Sequence, residues 1–175
     1  MHAPAKIPYI VMGYKAPVLN TAEVAWEPYA LSVLGGVLDG GRSARFSREL
    51  VRGQQVAAAA SAGYNMLGKY DTLFMVDANP AEGRTVEDVE KALEEQIERV
   101  KTELVSEQEL QRIKAGVIAG EVYQRDSIQH QANQIGQLEA TGLGWEMTDQ
   151  YSDRILAVTA EQVRDVAKKY LVKKH

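Results

Sequence analysis

The chain has 175 residues, of which 45% are hydrophobic and 25% charged, and it contains no cysteine. This composition is typical of one globular domain, which at this length buries roughly 70% of its unfolded surface. The lack of cysteine excludes disulfides and thiolate metal sites, and the net charge of −4 argues against a nucleic-acid partner.

The first half of the chain predicts three strands. They cover residues 6–14, 55–64 and 71–78, and the last, DTLFMVDA, is apolar enough to be covered on both faces. A helix is predicted between the first two strands, from about Glu23 to Asp39, in which Pro28 marks either a bend or the true start.

A glycine-rich corner follows this helix. Gly40 and Gly41 end the helix, because glycine adopts the left-handed conformation without steric cost, and Ser43 is expected to cap a short helix ending near Arg52. The corner lacks the G-x-x-x-x-G-K-[ST] spacing of a phosphate loop and follows a helix rather than a strand. We therefore predict a structural corner, in which Arg45 is an anchor rather than a ligand contact.

The second half is predicted to be helical. Thr85 with Asp88, and Ser106 with Glu109, have the spacing of capping boxes at two helix starts. The first of these helices is expected to end near residue 103. The second is expected to reach residue 141, with a kink or a close helix contact at the glycines inside it. Two more helices follow, at 145–155 and after a Thr159 cap.

The order of elements predicts an α+β fold with helices packed on one face of a mostly antiparallel sheet. Three strands are few for so much helix, and Leu171 and Val172 look like the beginning of a further strand. We therefore expect residues 1–175 to form a single domain that is a fragment of a two-domain protein.

No residues that could carry catalysis or bind a metal are identified in the chain. His2, His130 and His175 have no partner at the spacing of a zinc site, and no G-x-S-x-G motif occurs. The carboxylates between residues 87 and 98 lie on the polar side of an amphipathic helix. A polar stripe on the long helix fits either an interface or a cavity; it consists of Gln124, Gln129, Gln131, Gln134 and Gln137.

Three segments resemble the C-terminal half of pitrilysin- or insulinase-like zinc peptidases. Residues 105–116, VSEQELQRIKAG, are similar to that family's T-x-x-E-L-x-R-A-K helix start, and residues 158–171, VTAEQVRDVAKKYL, to its closing V-T-x-E-D-V-x-x-V-A-x-K-Y-L. The first segment is similar to A-L-x-V-L-x-x-I-L-G-G-G-x-S-S-R-L-x-x-x-L-R at Ala30, Leu31, Val33, Leu34, Leu38, Gly40, Gly41, Ser43, Arg45 and Leu50. The three segments lie in the family's order over nearly the whole chain, and the bacterial processing-peptidase-like subgroup is the most similar.

The resemblance implies an α+β roll with five or six mainly antiparallel strands and helices on one side. It also implies a protein with two homologous halves, the N-terminal of which can carry the zinc motif H-x-x-E-H. This chain has no such motif. It therefore resembles the non-catalytic half, which closes the chamber around a peptide or protein substrate. Zinc would belong to the N-terminal half, and the expected partners are that half and a homologous subunit or a second copy.

One feature of the family is missing. Many members have an Arg and a Tyr seven residues apart that contact the substrate's carbonyl, and the positions that match them here are Val51 and Ala58. Arg52 is one position away, but it has no tyrosine partner at Ala59. The absence of this pair indicates either the C-terminal half of a zinc-bearing subunit or a subunit that has lost both sets of residues.

Localisation follows only from the resemblance, which suggests the bacterial periplasm. No apolar run approaches the ~20 residues of a membrane span, and the N-terminus does not read as a signal peptide. Two alternatives remain open: a scaffold subunit without peptidase chemistry, such as the core subunits of respiratory complexes, and a free-standing peptide-binding module.

Overall fold

The computed structural model describes residues 8–125 and 127–173. Three strands form one antiparallel sheet in the order β1-β3-β2; they are β1 (Ile10–Ala16), β2 (Ala57–Gly63) and β3 (Thr72–Pro80). Tyr14 pairs with Phe74, and Ala62 with Val76, so β3 is the central strand. The predicted start of the first strand lies outside the described residues.

The described residues also form seven helical segments. They are α1 (Glu27–Asp39), a π-helix (Phe46–Gly53), α2 (Val86–Thr102), α3 (Glu107–Arg125), α4 (Ile128–Thr141), α5 (Met147–Leu156) and α6 (Ala160–Tyr170). The first helix begins at Glu27, so Pro28 lies in its first turn, where the missing proline N–H has no helical partner to lose. Pro28 therefore marks the start of the helix and does not bend it.

Local capping sets several helix starts as predicted. The Thr85 hydroxyl accepts from the Asp88 N–H, and the Asp88 carboxylate accepts from the Thr85 N–H, which completes a capping box. Ser106 and Glu109 exchange the same two hydrogen bonds, at 3.2 and 3.3 Å. Thr159 caps α6 in the same way, with Gln162 as its partner. These contacts satisfy N–H groups that the first turn of a helix leaves free.

The single long helix predicted to reach residue 141 is wrong, because the chain breaks into α3 and α4. Ser127 has an extended backbone, and its hydroxyl accepts from the His130 N–H, so it caps a new helix. The chain does not break at Gly116 or Gly120. A serine or threonine hydroxyl that captures a backbone N–H competes locally with helix continuation.

The helices cover one face of the sheet, which confirms the predicted α+β class. α1, α2 and α6 pack against the strands, and α3, α4 and α5 lie outside them, with α3 and α5 against α1. The core between these layers includes Leu31, Leu34, Phe46, Phe74 and Leu93, all fully buried. Burying large apolar side chains of this kind is the main favourable contribution to folding.

The other face of the sheet is uncovered, so the expectation that the third strand is buried on both faces is wrong. Along β3, Phe74, Val76 and Ala78 are buried, whereas Leu73 on the opposite face is 47% exposed. Successive side chains of a strand point to opposite faces, so the apolar composition of β3 does not by itself place a second layer on that face. Within the described residues the sheet has three strands, fewer than the resemblance implies.

In the described part of the chain, no helix combines the length and the apolar content that a membrane crossing requires.

Candidate functional site

The helices of the described residues leave one face of the sheet uncovered, and we call it the open face. Its floor consists of Val11, Gly13 and Lys15 from β1, Leu73, Met75, Asp77 and Asn79 from β3, and Ala59, Ser61 and Gly63 from β2. Leu73 is 47% and Val11 49% exposed, so apolar side chains reach solvent here. Exposed apolar residues gathered on one face are characteristic of contact surfaces.

A polar group lies at the centre of the open face. The Asp77 carboxylate accepts a hydrogen bond of 2.5 Å from the Ser61 hydroxyl on the neighbouring strand. Tyr9, just before β1, also hydrogen-bonds to Asp77, and this contact raises the pKa of the Tyr9 hydroxyl because phenolate would face the carboxylate. The floor is therefore interrupted at its centre by an ionisable group that is already hydrogen-bonded.

A second carboxylate stands at the free edge of β2. Asp39, the last residue of α1, accepts from the Ala62 N–H at 3.2 Å. Burial raises the pKa of the Asp39 carboxyl, the Ala62 hydrogen bond opposes this, and the negative charge of Asp77 adds to it. Asp39 thereby occupies one of the backbone donors that an edge strand would otherwise expose.

The glycine corner is held by an ion pair. The Arg45 Nε and Nη2 atoms donate to the two carboxylate oxygens of Glu109 at 3.0 and 3.1 Å. Only 4% of the Arg45 side chain and 13% of the Glu109 side chain are exposed. Because Glu109 also belongs to the capping box with Ser106, this pair joins the corner to the start of α3.

Burial raises the pKa of the Glu109 carboxyl, but hydrogen bonds from Arg45, the Arg45 charge and the Ser106 contacts outweigh it and lower that pKa to about 2. The carboxylate is therefore charged throughout the neutral range. A planar guanidinium facing a carboxylate with two parallel hydrogen bonds is the strongest form of such a pair. These contacts lie within the protein, with no opening onto the open face.

Glycine is required at Gly40 and at Gly41 for different structural reasons. Gly41 has a φ of +89°, the left-handed conformation expected at the end of α1. Gly40 has a φ of −82°, but a Cβ atom there would lie 2.3 Å from the Gly36 carbonyl oxygen. Gly40 is thus required by close backbone approach, contrary to the prediction that both glycines serve the left-handed turn.

Ser43 does not cap a helix, contrary to the prediction. The following helix begins at Phe46, with Arg45 before it and no side-chain cap, and it is a π-helix in which the Gln54 N–H donates to Glu49 O. Ser43 is exposed, and its carbonyl oxygen accepts from Arg112 Nη1 at 2.5 Å. The α1-to-β2 connection is therefore anchored on α3 by two arginine contacts.

The positions matched to the family's substrate-contacting pair lie on adjoining elements. Val51 is half-buried in the π-helix, where it packs against the core, and Ala58 is exposed on β2. The register of β2 against β3 shifts between Ala57 and Ala59, so Ala58 sits at a bulge. The π-helix packs against β2. Neither side chain offers a hydrogen-bonding group to a peptide carbonyl.

No metal centre occurs in the part of the chain that the structure describes. No three His, Cys, Asp or Glu side chains within residues 8–125 and 127–173 come together to hold an ion. His130 lies half-buried on α4, and the predictions for His2, His175 and the Gln124 side chain fall outside the described residues. The described residues therefore do not fit a zinc site.

The outer edge of β1 borders a groove of about 700 Å³. The groove runs along Met12–Pro17 and is flanked by Lys169, Tyr170 and Lys173 at the end of α6. An unpaired strand edge offers a row of backbone donors and acceptors to another extended segment. The groove therefore has the form of a site for a further strand.

One buried interaction was not predicted from the sequence. The Glu27 carboxylate is 3% exposed and accepts from Lys169 Nζ at 2.5 Å and from the Tyr170 hydroxyl at 2.6 Å. Local pattern gave no signal, since the partners lie 142 and 143 residues away. Asp77 was also missed, although an aspartate alternating with apolar residues in DTLFMVDA places it on the less buried face.

Comparisons with known proteins agree with this architecture. Residues 2–117 match the family model described as the peptidase M16 inactive domain. A comparison with curated proteins found no match.

Three solved structures illustrate the likeness of the fold. A protease from Helicobacter pylori has a TM-score of 0.83 at 21% identity over 94% of this chain, which spans 38% of that protein's length. The inactive peptidase domain of a presumed zinc protease from Bordetella parapertussis has a TM-score of 0.82 at 17% identity, over 99% of this chain and 89% of that one. The periplasmic protease PqqL from Escherichia coli has a TM-score of 0.70 at 19% identity, over 97% and 18%. Identities this low show a shared fold alone.

Proposed function

This chain belongs to the peptidase M16 inactive-domain family, and we propose that it is the non-catalytic C-terminal domain of a zinc-dependent endopeptidase, whose open face closes the peptide-binding chamber. Membership of the family confirms the resemblance noted in the sequence. The observation that carries the proposal is the open face itself. One side of the sheet is sealed by helices, while the other presents Val11 and Leu73 around a hydrogen-bonded Asp77.

The proposal assigns the chemistry to another part of the protein. Zinc and its ligands belong to the N-terminal domain of the parent, of which residues 1–175 are one domain. The groove at the outer edge of β1 supports this arrangement, since a strand from outside these residues would fill it. Its homologue PqqL is a periplasmic protease, which favours the periplasm for the parent of this chain.

Contacts to other domains or subunits complete the proposal. Several large apolar side chains of the helical layer are strongly exposed; they are Ile118, Ile128, Ile135, Trp145 and Leu156. Ile128 is 85% exposed, which is unusual for a residue on a well-formed helix. We assign this surface to packing against the N-terminal domain and against a homologous subunit or a second copy.

The first experiment tests whether the chain is inactive by itself. The purified 175-residue protein should bind no stoichiometric zinc by elemental analysis and should not cleave fluorescein-labelled casein. Tight zinc at one ion per chain, or cleavage that a chelator abolishes, contradicts the assignment.

The second experiment tests the role of the open face in the parent protein. Leu73→Asp places a charge on the proposed chamber wall and should lower casein cleavage at least tenfold, with little effect on folding because Leu73 is 47% exposed. Leu104→Asp is the matched control: Leu104 is 46% exposed, lies between α2 and α3, and belongs neither to the open face nor to the surface assigned to domain contacts. Equal activity of the two variants argues against the chamber role. A parent protein that cleaves nothing and binds no zinc instead supports a scaffold subunit.

A further inference from the structure

A cavity of about 320 Å³ lies between the helices, away from the open face. It is bounded by α1, α4, α5 and the β2–β3 loop, and none of the open-face residues line it. Its volume is at the lower end of the range found for small-molecule sites. The cavity therefore has the size of a binding site for a compact ligand.

The wall contributed by α4 is polar, although it faces the protein. His130, Gln134 and Gln137 recur at the spacing of one helix face, and all three line the cavity. On the same helix, Ile128 and Ile135 are 85% and 43% exposed. The buried Leu138 also lines the cavity, so α4 presents both polar and apolar side chains to it. The polar stripe noted in the sequence is partly accounted for by this wall.

The cavity wall also includes Tyr29. Tyr29 is 4% exposed, and its hydroxyl makes no hydrogen bond to any group in residues 8–125 and 127–173. Tyr64, which also lines the cavity, differs because its hydroxyl donates to the Pro17 carbonyl oxygen at 2.5 Å. The Tyr29 hydroxyl is therefore available as a hydrogen-bond donor to a ligand in the cavity.

The remaining wall defines the chemistry of that ligand. No Asp, Glu, Lys or Arg lines the cavity. Its apolar part includes the rings of Tyr29 and Tyr64 and the thioethers of Met66 and Met147, which favour contact with another aromatic ring. The amides of Asn133 and Gln134 can both donate and accept hydrogen bonds, whereas Asn65 Oδ1 already accepts from the Leu67 N–H and Gln137 Nε2 already donates to the Leu67 carbonyl oxygen.

We propose that this cavity binds an uncharged aromatic amide, of the class of an N-acylated aromatic amino-acid amide. The aromatic ring contacts the tyrosine and methionine side chains. The amide groups of the ligand hydrogen-bond to Gln134 and to the free hydroxyl of Tyr29. This site goes beyond the proposed chamber function, because it involves different residues and requires neither zinc nor a partner domain.

Isothermal titration of the 175-residue protein with N-acetyl-L-phenylalaninamide tests the proposal. Saturable one-to-one binding is expected. N-acetyl-L-phenylalanine, which differs in having a free carboxylate, should bind at least tenfold more weakly because no cation in the wall balances its charge. N-acetyl-glycinamide, which has no ring, should show no saturable binding.

Two cavity variants and one matched control locate the site. Tyr29→Phe and Gln134→Leu should each weaken binding about fivefold, the effect of losing one hydrogen bond. Gln129→Leu removes an exposed glutamine of the same helix that does not line the cavity and should leave the affinity unchanged. Tyr29→Phe should also leave the urea midpoint unchanged, since it removes a hydroxyl without a partner.

The outcomes separate clearly. Binding that both cavity variants weaken and the control preserves supports the proposal. Absence of saturable binding to the amide, equal binding of the carboxylate, or equal affinity in all three variants overturns it. None of these results depends on peptidase activity, so the test can fail while the chamber function stands.

Discussion

Removing the positive charge of Arg45 should detach the glycine corner from the start of α3 and destabilise the fold. In Arg45→Met a side chain of similar length replaces the guanidinium, so the carboxylate of Glu109 loses both hydrogen bonds of 3.0 and 3.1 Å. Glu109 remains largely buried, with 13% of its side chain exposed. The variant therefore leaves a largely buried charge whose remaining counter-charge is the exposed Arg48 guanidinium 3.9 Å away, which is more costly than losing an exposed pair.

Two lines of reasoning give a similar loss of unfolding free energy for Arg45→Met. Breaking a buried pair by removing one partner typically costs about 3–5 kcal/mol. The fall of the Glu109 pKa from 4.5 to about 2 corresponds to about 3 kcal/mol at about 1.4 kcal/mol per pH unit. Arg45 Nη1 is buried without a hydrogen bond, so part of the desolvation cost remains uncompensated in the native protein. We therefore expect a loss of about 3 kcal/mol, the lower end of the range.

The stability that the Arg45–Glu109 pair contributes should depend on pH. A carboxyl whose pKa is lower in the folded than in the unfolded protein stabilises the fold above pH 4.5 and loses that contribution as the pH falls towards about 2. The native protein should therefore lose stability between pH 5 and pH 2.5. Arg45→Met lacks this contribution, so the difference between the two proteins should narrow over that interval.

Urea unfolding at pH 7 and pH 3, followed by circular dichroism, measures both effects. Arg48→Met is the matched control: its side chain is 44% exposed and its Nη2 atom lies 3.9 Å from Glu109, so less than about 1 kcal/mol should be lost. Arg45→Met with Glu109→Leu should recover most of the stability, since an apolar pair fills the same space. Two results would refute the reasoning. One is a loss of unfolding free energy below about 1 kcal/mol in Arg45→Met, and the other is a stability difference between the native protein and Arg45→Met that does not narrow at pH 3.

Three further predictions concern other contacts, each measured by the same urea unfolding. Glu27→Ala should cost about 3 kcal/mol, because it leaves Lys169 and Tyr170 without their buried acceptor; an effect like that of Glu87→Ala, an exposed carboxylate of α2, contradicts this. Gly40→Ala should cost about 1–3 kcal/mol, since its Cβ would lie 2.3 Å from Gly36 O, whereas Gly63→Ala, with nothing within 4 Å, should be nearly neutral. Thr85→Ala should cost about 1 kcal/mol through loss of the α2 capping box, and an unchanged midpoint would show that the cap is not needed.

Features that depend on neighbouring residues were predictable from the sequence. The capping boxes at Thr85 and Ser106 and the Thr159 cap require a hydroxyl and a carboxylate or amide three residues apart, and the structure has all three. The break at Ser127 was not predicted, because continuation of a helix through SIQHQ and a new cap at that serine have similar local cost. Ser43 was wrongly predicted to be a helix cap, because the local sequence does not decide by itself whether a serine caps a helix.

The sequence by itself determined the helix starts at Thr85, Ser106 and Thr159, the glycine corner, the absence of a zinc motif and the family, since each depends on residues close together in the chain. Tertiary structure alone decided which face of β3 is open, where the carboxylates of Asp77 and Glu27 find partners, and that α4 turns polar side chains towards a cavity. Strand and helix periodicity identify two faces of an element but do not say what covers each. The covering elements come from segments distant in the sequence, and their packing is settled by the collective burial of the core.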